Sequence, residues 1–267
     1  MGIKLSGNDM SLLENTVVQS GERAIGKSGL RHHVLSGERI KGSHWNGHRF
    51  PPPPAGCVLY LPGYPAQGST IKDFSGQGND GTITGATWVR EKSGIWGNSF
   101  NGTSDLITIA HSASLNFTEL SYVTWFKFAS LASNPSVINK KETTYDQANG
   151  WHLYWDTATA KWGFRIGIQN PTSDVVSVST GIWYCVGVSV KGGGDITFYH
   201  NGQPVGTTGS VASFVDNTDE IRISKQADDY PGWFSGKNGV LATLVNVESS
   251  AVKFANFYNQ SRHLLGV

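Results

Sequence analysis

Short alternating runs of apolar and polar residues dominate the chain beyond residue 55. Tyr184, Val186, Val188 and Val190 alternate with Cys185, Gly187 and Ser189. Phe164, Ile166 and Ile168 alternate in the same way with Arg165 and Gly167. Successive side chains of a strand point to opposite faces, so each run predicts a β-strand with one buried face. Cys57–Leu61, Leu106–Ile109, residues 122–128, Ile221–Ile223 and residues 240–247 read as further strands. Ile196–His200 runs into Asn201-Gly202, a two-residue hairpin signal, and Val205 then opens the return strand. Helical spacing occurs only in residues 250–260, through Val252, Phe254, Phe257 and Tyr258. Short strands separated by turn residues predict an all-β fold, an antiparallel two-sheet jelly-roll sandwich.

The first fifty residues break this pattern. They are rich in Gly, Ser, Arg and His and lack periodic apolar positions. Ser20-Gly21-Glu22-Arg23 recurs sixteen residues later as Ser36-Gly37-Glu38-Arg39, which predicts a pair of similar turns or short hairpins. Pro51-Pro52-Pro53-Pro54 follows, a stiff polyproline stretch of the kind that makes linkers. The expected organisation is an extended N-terminal docking arm over residues 1–50, a proline linker over 51–55 and one β domain over 56–267.

Composition agrees with a folded β protein. There are 33 glycines and 30 aromatic residues, and charged residues make up 15%. The net charge of +1 gives no global field that would draw the chain to nucleic acid or to a membrane surface. The charge is uneven, however. Residues 1–56 hold seven Lys/Arg against four Asp/Glu, together with four of the eight histidines. No signal-peptide core and no apolar run of membrane-spanning length is visible, which predicts a product made in the cytoplasm. Two cysteines, Cys57 and Cys185, make neither a disulfide framework nor a zinc site, and Cys185 reads as a buried free thiol.

Several motifs occur in a fixed order. An apolar strand leads into Asp73-Phe74-Ser75-Gly76-Gln77-Gly78-Asn79-Asp80-Gly81. Gly97-Asn98-Ser99-Phe100-Asn101-Gly102-Thr103-Ser104-Asp105 follows, then the strand holding Trp125 and Lys127. Later come Gly181-Ile182-Trp183-Tyr184-Cys185-Val186, Phe198-Tyr199-His200-Asn201-Gly202-Gln203-Pro204-Val205-Gly206 and the ending Phe257-Tyr258-Asn259. In this order they resemble the laminin-G-like jelly rolls of the concanavalin A-like family over residues 56–262. The resemblance implies two curved sheets and a frequent role in glycan or protein binding. Two departures stand out. Where the family carries an acidic pair in its penultimate strand, this chain has Ala242-Thr243, and where it carries a histidine after the strand tryptophan, Tyr184 stands. Some relatives bind calcium near the glycine-rich loop. Calcium takes six to eight oxygen ligands, and the missing acidic pair removes some of them. Asp73 and Asn79 are the candidate calcium ligands, with turn capping as the competing reading; no other cofactor is implied.

Candidate chemistry is sparse. Gly21-Glu22-Arg23-Ala24-Ile25-Gly26-Lys27-Ser28 satisfies the P-loop pattern, but that mechanism needs a preceding strand, a following helix and an α/β sheet, none of which the sequence predicts. Concanavalin-like glucanases carry alternating carboxylates on one strand, and glycoside hydrolysis needs two facing one bond. No such spacing occurs. Asp219-Glu220 and Asp228-Asp229 are adjacent, so a strand would send each pair to opposite faces. The chain is therefore expected not to be an enzyme. Sugar binding needs aromatic platforms beside Asp and Asn. Tyr145, Asp146 and Trp151 form one such cluster, and Asp228, Asp229, Tyr230 and Trp233 form another. Inner-face packing is the competing reading for both tryptophans.

A cationic arm ahead of a laminin-G-like module also resembles accessory proteins of tailed bacteriophages. That resemblance implies a virion-associated structural or decoration protein, or a fibre-like one, made in the host cytoplasm. Its arm would dock on a viral capsid or tail protein through Arg23, Arg31, Arg39, Trp45, Arg49 and Phe50. Its sandwich, expected in a homo-oligomer, would stabilise the particle or bind a cell-surface glycan. The alternative is a free carbohydrate-binding module or lectin.

Overall fold

A computed structural model of the chain describes residues 53–63, 68–92, 94–132, 134–140, 150–209, 211–215, 217–225, 235–238, 242–245 and 249–267, together with four short strands within 23–49. The chain divides into two units, Met1–Pro52 and Pro53–Val267. In the first, β1 (Arg23–Ile25) pairs antiparallel with β2 (Arg31–His33), and β3 (His44–Trp45) pairs with β4 (His48–Arg49). The β1–β2 pair begins on Arg23, the last residue of the first copy of the Ser-Gly-Glu-Arg repeat; the second copy lies outside the described residues. β1 also falls inside the P-loop-like string, where a phosphate-binding loop would have to be.

The second unit is the antiparallel sandwich that the alternation predicts. One sheet has seven strands: β6 (Thr70–Ile71), β7 (Gly81–Thr84), β10 (Leu106–Ile109), β12 (Ser136–Lys140), β13 (Trp151–Asp156), β14 (Lys161–Ile166) and β18 (Ile221–Ile223). Their order across the sheet is β14-β13-β12-β18-β10-β7-β6. The other sheet has nine: β5 (Cys57–Leu61), β8 (Thr87–Arg90), β9 (Trp96–Asn101), β11 (Glu119–Phe128), β15 (Tyr184–Lys191), β16 (Ile196–His200), β17 (Gln203–Thr208), β19 (Ser235–Asn238) and β20 (Ala242–Val245). β11 pairs along most of its length with β15. Its other edge is shared, with β19 opposite Phe126 to Phe128 and β20 opposite Ser121 to Val123.

The inner faces interlock through the residues that the period of two selects. Leu120, Tyr122, Phe126 and Phe128 of β11 and Val186, Val188 and Val190 of β15 meet Trp151, Leu153 and Trp155 of β13 and Trp162, Phe164 and Ile166 of β14. Trp162 packs edge-on against Phe126 and Trp155, an arrangement that suits the aromatic quadrupole. Trp162 Nε1 donates to His200 Nδ1 at 3.3 Å, joining the two sheets at one end. Burial lowers the His200 pKa to about 4, because desolvation disfavours the charged imidazolium.

The hairpin after β16 turns at Asn201-Gly202, with φ of +50° and +77°; both central residues of a type I′ turn need positive φ. One expectation is corrected. β14 ends at Ile166, and Ile168 is 85% exposed rather than the next inward position. Gly167 takes a φ of +56°, and Gln169 N–H donates back to the Ile166 carbonyl, which closes a turn there. The helix forms one residue later than its spacing predicts, as α1 (Ala251–Ser261).

α1 lies on the outer face of the nine-stranded sheet. Phe254 stacks on Tyr199 with ring centroids 3.8 Å apart, Tyr258 stacks on Trp125, and Trp125 Nε1 donates to Ser261 Oγ. Gly187 makes this seat, since a Cβ there would stand 2.6 Å from Phe254 Cδ1. Cys57 and Cys185 are buried free thiols. No described helix is long and apolar enough to cross a membrane.

Candidate functional site

The outer face of the seven-stranded sheet carries a row of polar residues. Strand register places one row across all seven strands. Arg165 lies opposite His152, His152 opposite Asn139, and Asn139 opposite Arg222. Arg222 then faces Thr108, Thr108 faces Thr82 and Thr82 faces Thr70. These residues alternate with the core positions of their strands, so the pattern that buries Trp151, Leu153 and Trp155 also turns His152 and Tyr154 outward.

Tyr154 extends this row. Its ring lies over Gly163 of the neighbouring strand, where a Cβ would stand 2.6 Å from the tyrosine oxygen. Its hydroxyl donates to Asn170 Oδ1 at 2.8 Å, and its ring stacks with His152 at 5.0 Å. His152 Nε2 lies 3.0 Å from Ser136 Oγ. Arg222 Nε donates to Glu220 Oε1 at 2.8 Å. Asn139 is 1% exposed; its Nδ2 donates to the Lys225 carbonyl, whereas its Oδ1 is buried without a hydrogen-bond partner. A buried acceptor left unpaired costs about 1–3 kcal/mol; Asn139 and His152, each 1% exposed, and Tyr154 lie beneath the surface of this face, whereas Arg165 and Arg222 are half-buried.

Among the described residues Asp156 and Glu220 bring carboxylates to this face, and both are engaged. Glu220 is bound to Arg222, and Asp156 Oδ1 accepts from the N–H groups of Ala158 and Thr159 in a turn. Trp151, Lys140 and Ile221 are level in the register. Asp156 and Glu220 are therefore six residues apart along the strand direction, roughly 20 Å at strand rise.

The sequence-derived candidates fall elsewhere. Trp151 is 2% exposed, packed edge-on against Phe117 and stacked on Phe164. It is an inner-face residue, and its indole offers no platform to a ligand: the competing reading is the correct one here. Tyr145, Asp146, Asp228, Asp229, Tyr230 and Trp233 lie outside the described residues, as do Arg39 and Phe50. Arg23, Arg31, Trp45 and Arg49 belong to β1, β2, β3 and β4.

Asp73 and Asn79 are brought together, as the hub of a turn. Asp73 Oδ1 accepts from the N–H of Tyr60 and of Ser75, and Oδ2 accepts from Ser75 Oγ and the N–H of Asn79, at 2.7–2.9 Å. Asn79 Nδ2 donates to the Val58 carbonyl and Ser114 Oγ, and its Oδ1 accepts from Ser112 Oγ. Among the described residues no group of three or more His, Cys, Asp or Glu could hold a metal. Tyr184, which stands where relatives carry histidine, accepts the Ser179 N–H on its hydroxyl.

His152, Tyr154, Asn139, Arg165 and Arg222 did not stand out in the sequence. The alternation in Trp151-His152-Leu153-Tyr154-Trp155 was the available signal. It assigns the tryptophans to one face and the polar pair to the other.

The fold is that of a concanavalin A-like β-sandwich. A family model described as the concanavalin A-like lectin/glucanases superfamily matches residues 101–242. That is more than half of the chain, and the protein belongs to this family. Domain 4 of AbnA, a GH43 extracellular arabinanase from Geobacillus stearothermophilus, solved in complex with arabinotriose, has a similar structure. The TM-score is 0.61 at 15% identity, over 76% of this chain and 98% of that one. The binding domain of Paraclostridial Mosquitocidal Protein 1 gives 0.59 at 16%, over 76% and 52%. Trypanosoma rangeli sialidase gives 0.60 at 19%, over 81% and 34%. The chain thus spans about half of the mosquitocidal domain and about a third of the sialidase. At these identities the likeness is one of fold. No curated protein matches the sequence.

Proposed function

We propose that this protein is a non-catalytic glycan-binding module carried on a bacteriophage particle. The Pro53–Val267 unit recognises a sugar on the outer face of its seven-stranded sheet, and the Met1–Pro52 unit docks on a capsid or tail protein. The observation that carries the sugar reading is the lectin/glucanase-type sandwich itself, whose seven-stranded sheet presents the half-buried Arg165 and Arg222 on its outer face. Guanidinium groups are hydrogen-bond donors of the kind that sugar hydroxyls accept. The arabinotriose bound by an arabinanase domain of similar fold supports the same reading. Binding is favoured over hydrolysis because Asp156 and Glu220 are separated by roughly twice the 5–10 Å that a glycosidase pair spans.

The docking half rests on the seven Lys/Arg against four Asp/Glu of the first 56 residues, and on the division of the chain at Pro52/Pro53. Docked copies form a homo-oligomer.

A glycan array probed with the full-length protein tests the sugar reading. Retention of at least one oligosaccharide class, weakened in the Arg165→Ala variant, is the expected result. An array without any signal, or release of reducing sugar from a bound ligand, would overturn it. Deleting residues 1–50 should abolish co-purification with particles while the sandwich still unfolds cooperatively; unchanged co-purification contradicts the docking role.

A further inference from the structure

One buried side chain stands outside the glycan-binding reading and owes nothing to it. Lys140 closes β12 and is 3% exposed. The period of two that puts Ile138 in the core also turns Lys140 inward. Its register neighbours are Trp151 on β13 and Ile221 on β18, and the row continues to Ile166 and Ile109, all four of them core residues. An ammonium in such a row is costly, because apolar side chains replace the water that would solvate its charge. Nζ donates to Asn116 Oδ1 at 2.8 Å and to the Asn217 carbonyl at 2.9 Å.

Asn116 lies just ahead of β11, between the buried Leu115 and Phe117. Phe117, its chain neighbour, packs edge-on against Trp151, the register neighbour of Lys140. The hydrogen bond to Oδ1 leaves Nζ roughly 3.6 Å from the carboxamide carbon at an ordinary hydrogen-bond angle, against about 3–3.5 Å for a near-attack pair. A carboxyl group belongs to the same corner. Asp219 precedes Ile221 by two residues, its N–H donates to Asn217 Oδ1 at 3.2 Å, and its own Oδ2 is buried.

An amine, a carboxamide and a carboxyl group in one water-poor place are the components of an amide exchange. Apolar surroundings favour a neutral amine, which is the nucleophilic form, and a carboxyl group can carry the proton. We infer that Lys140 and Asn116 join covalently, through an isopeptide bond between Lys140 Nζ and Asn116 Cγ. The neutral amine attacks Cγ. Asp219 takes a proton from Nζ and delivers it to Nδ2, which leaves as ammonia. The Nζ–Cγ bond forms, the Cγ–Nδ2 bond breaks, and neither oxidant nor cofactor is consumed. The product replaces a buried amine by an amide nitrogen. It also ties the segment entering β11, in the nine-stranded sheet, to the end of β12, in the seven-stranded sheet. The sandwich is thereby stapled across its two layers.

The test is intact mass spectrometry of the full-length protein under denaturing conditions, followed by peptide mapping. The expected mass is lower than the sequence mass by one ammonia, and the digest should yield a branched peptide joining the Asn116 and Lys140 segments. Lys140→Met keeps the length and apolar stem without the amine, and should show the full sequence mass and no branched peptide. Asn116→Ala should do the same. Asp219→Asn keeps the shape and removes the proton carrier, and should leave most of the chain unlinked. Thermal melts show which variants are folded; the wild-type mass decides the question even if every variant unfolds. A folded wild type at the full sequence mass overturns the inference. So does an ammonia loss that persists in Lys140→Met, since it would come from an asparagine elsewhere in the chain.

Discussion

The seat of Tyr154 on Gly163 makes a prediction that can be worked through from the geometry. Gly163 has no positive φ, so the backbone accepts alanine without strain. The whole cost of Gly163→Ala must then come from the added methyl group, which would stand 2.5 Å from Tyr154 Cε1 and 2.6 Å from its hydroxyl oxygen. The ring has to lift, and its bond to Asn170 Oδ1 goes with it. Overpacking of this kind costs about 1–3 kcal/mol, and the hydrogen bond adds about 1 kcal/mol. We expect Gly163→Ala to lower stability by about 2–4 kcal/mol in urea unfolding, which for a domain of this size lowers Tm by roughly 4–16 °C. In a Tyr154→Ala background the ring is gone, and the same substitution should cost less than about 0.5 kcal/mol. The coupling energy of the cycle is then about 2 kcal/mol, well above the additivity error. An equal cost in both backgrounds would refute the reasoning, because the penalty would then have nothing to do with the ring.

Two further predictions concern stability. His200 has its pKa lowered to about 4 by burial, so the unfolded chain takes up this proton first as pH falls. The stabilisation is complete above about pH 6.5, declines as pH falls and is lost below about pH 4, an effect of up to about 3 kcal/mol. Melting curves of wild type and His200→Gln from pH 7.5 to 4 should converge by that amount, and a constant offset would contradict the assignment. Asp73→Ala leaves the N–H groups of Tyr60, Ser75 and Asn79 without their carboxylate and should cost roughly 2–4 kcal/mol. Because both oxygens already accept protein donors, millimolar calcium should leave the wild-type Tm unchanged; a rise with calcium concentration would show a bound ion.

The sequence alone determined the class of fold. Alternation with period two, the Asn201-Gly202 turn and a single stretch of helical spacing suffice for an antiparallel sandwich with one helix, because these signals are local. Strands buried along all or nearly all of their length, such as Ser136–Lys140 and Trp151–Asp156, gave a weaker signal, since a strand covered on both faces need not alternate in polarity. Tertiary structure decided the rest. Only register could bring Arg165, His152, Asn139 and Arg222 into one row, because they come from four strands spread over more than eighty residues of sequence. Only packing could assign Trp151 to the interior, where Phe117 and Phe164 hold it, and send its neighbours His152 and Tyr154 to the opposite face. Strand propensity is set by neighbours along the chain. A binding face is set by neighbours across the sheet, and hydrogen bonding between distant segments decides which residues those are.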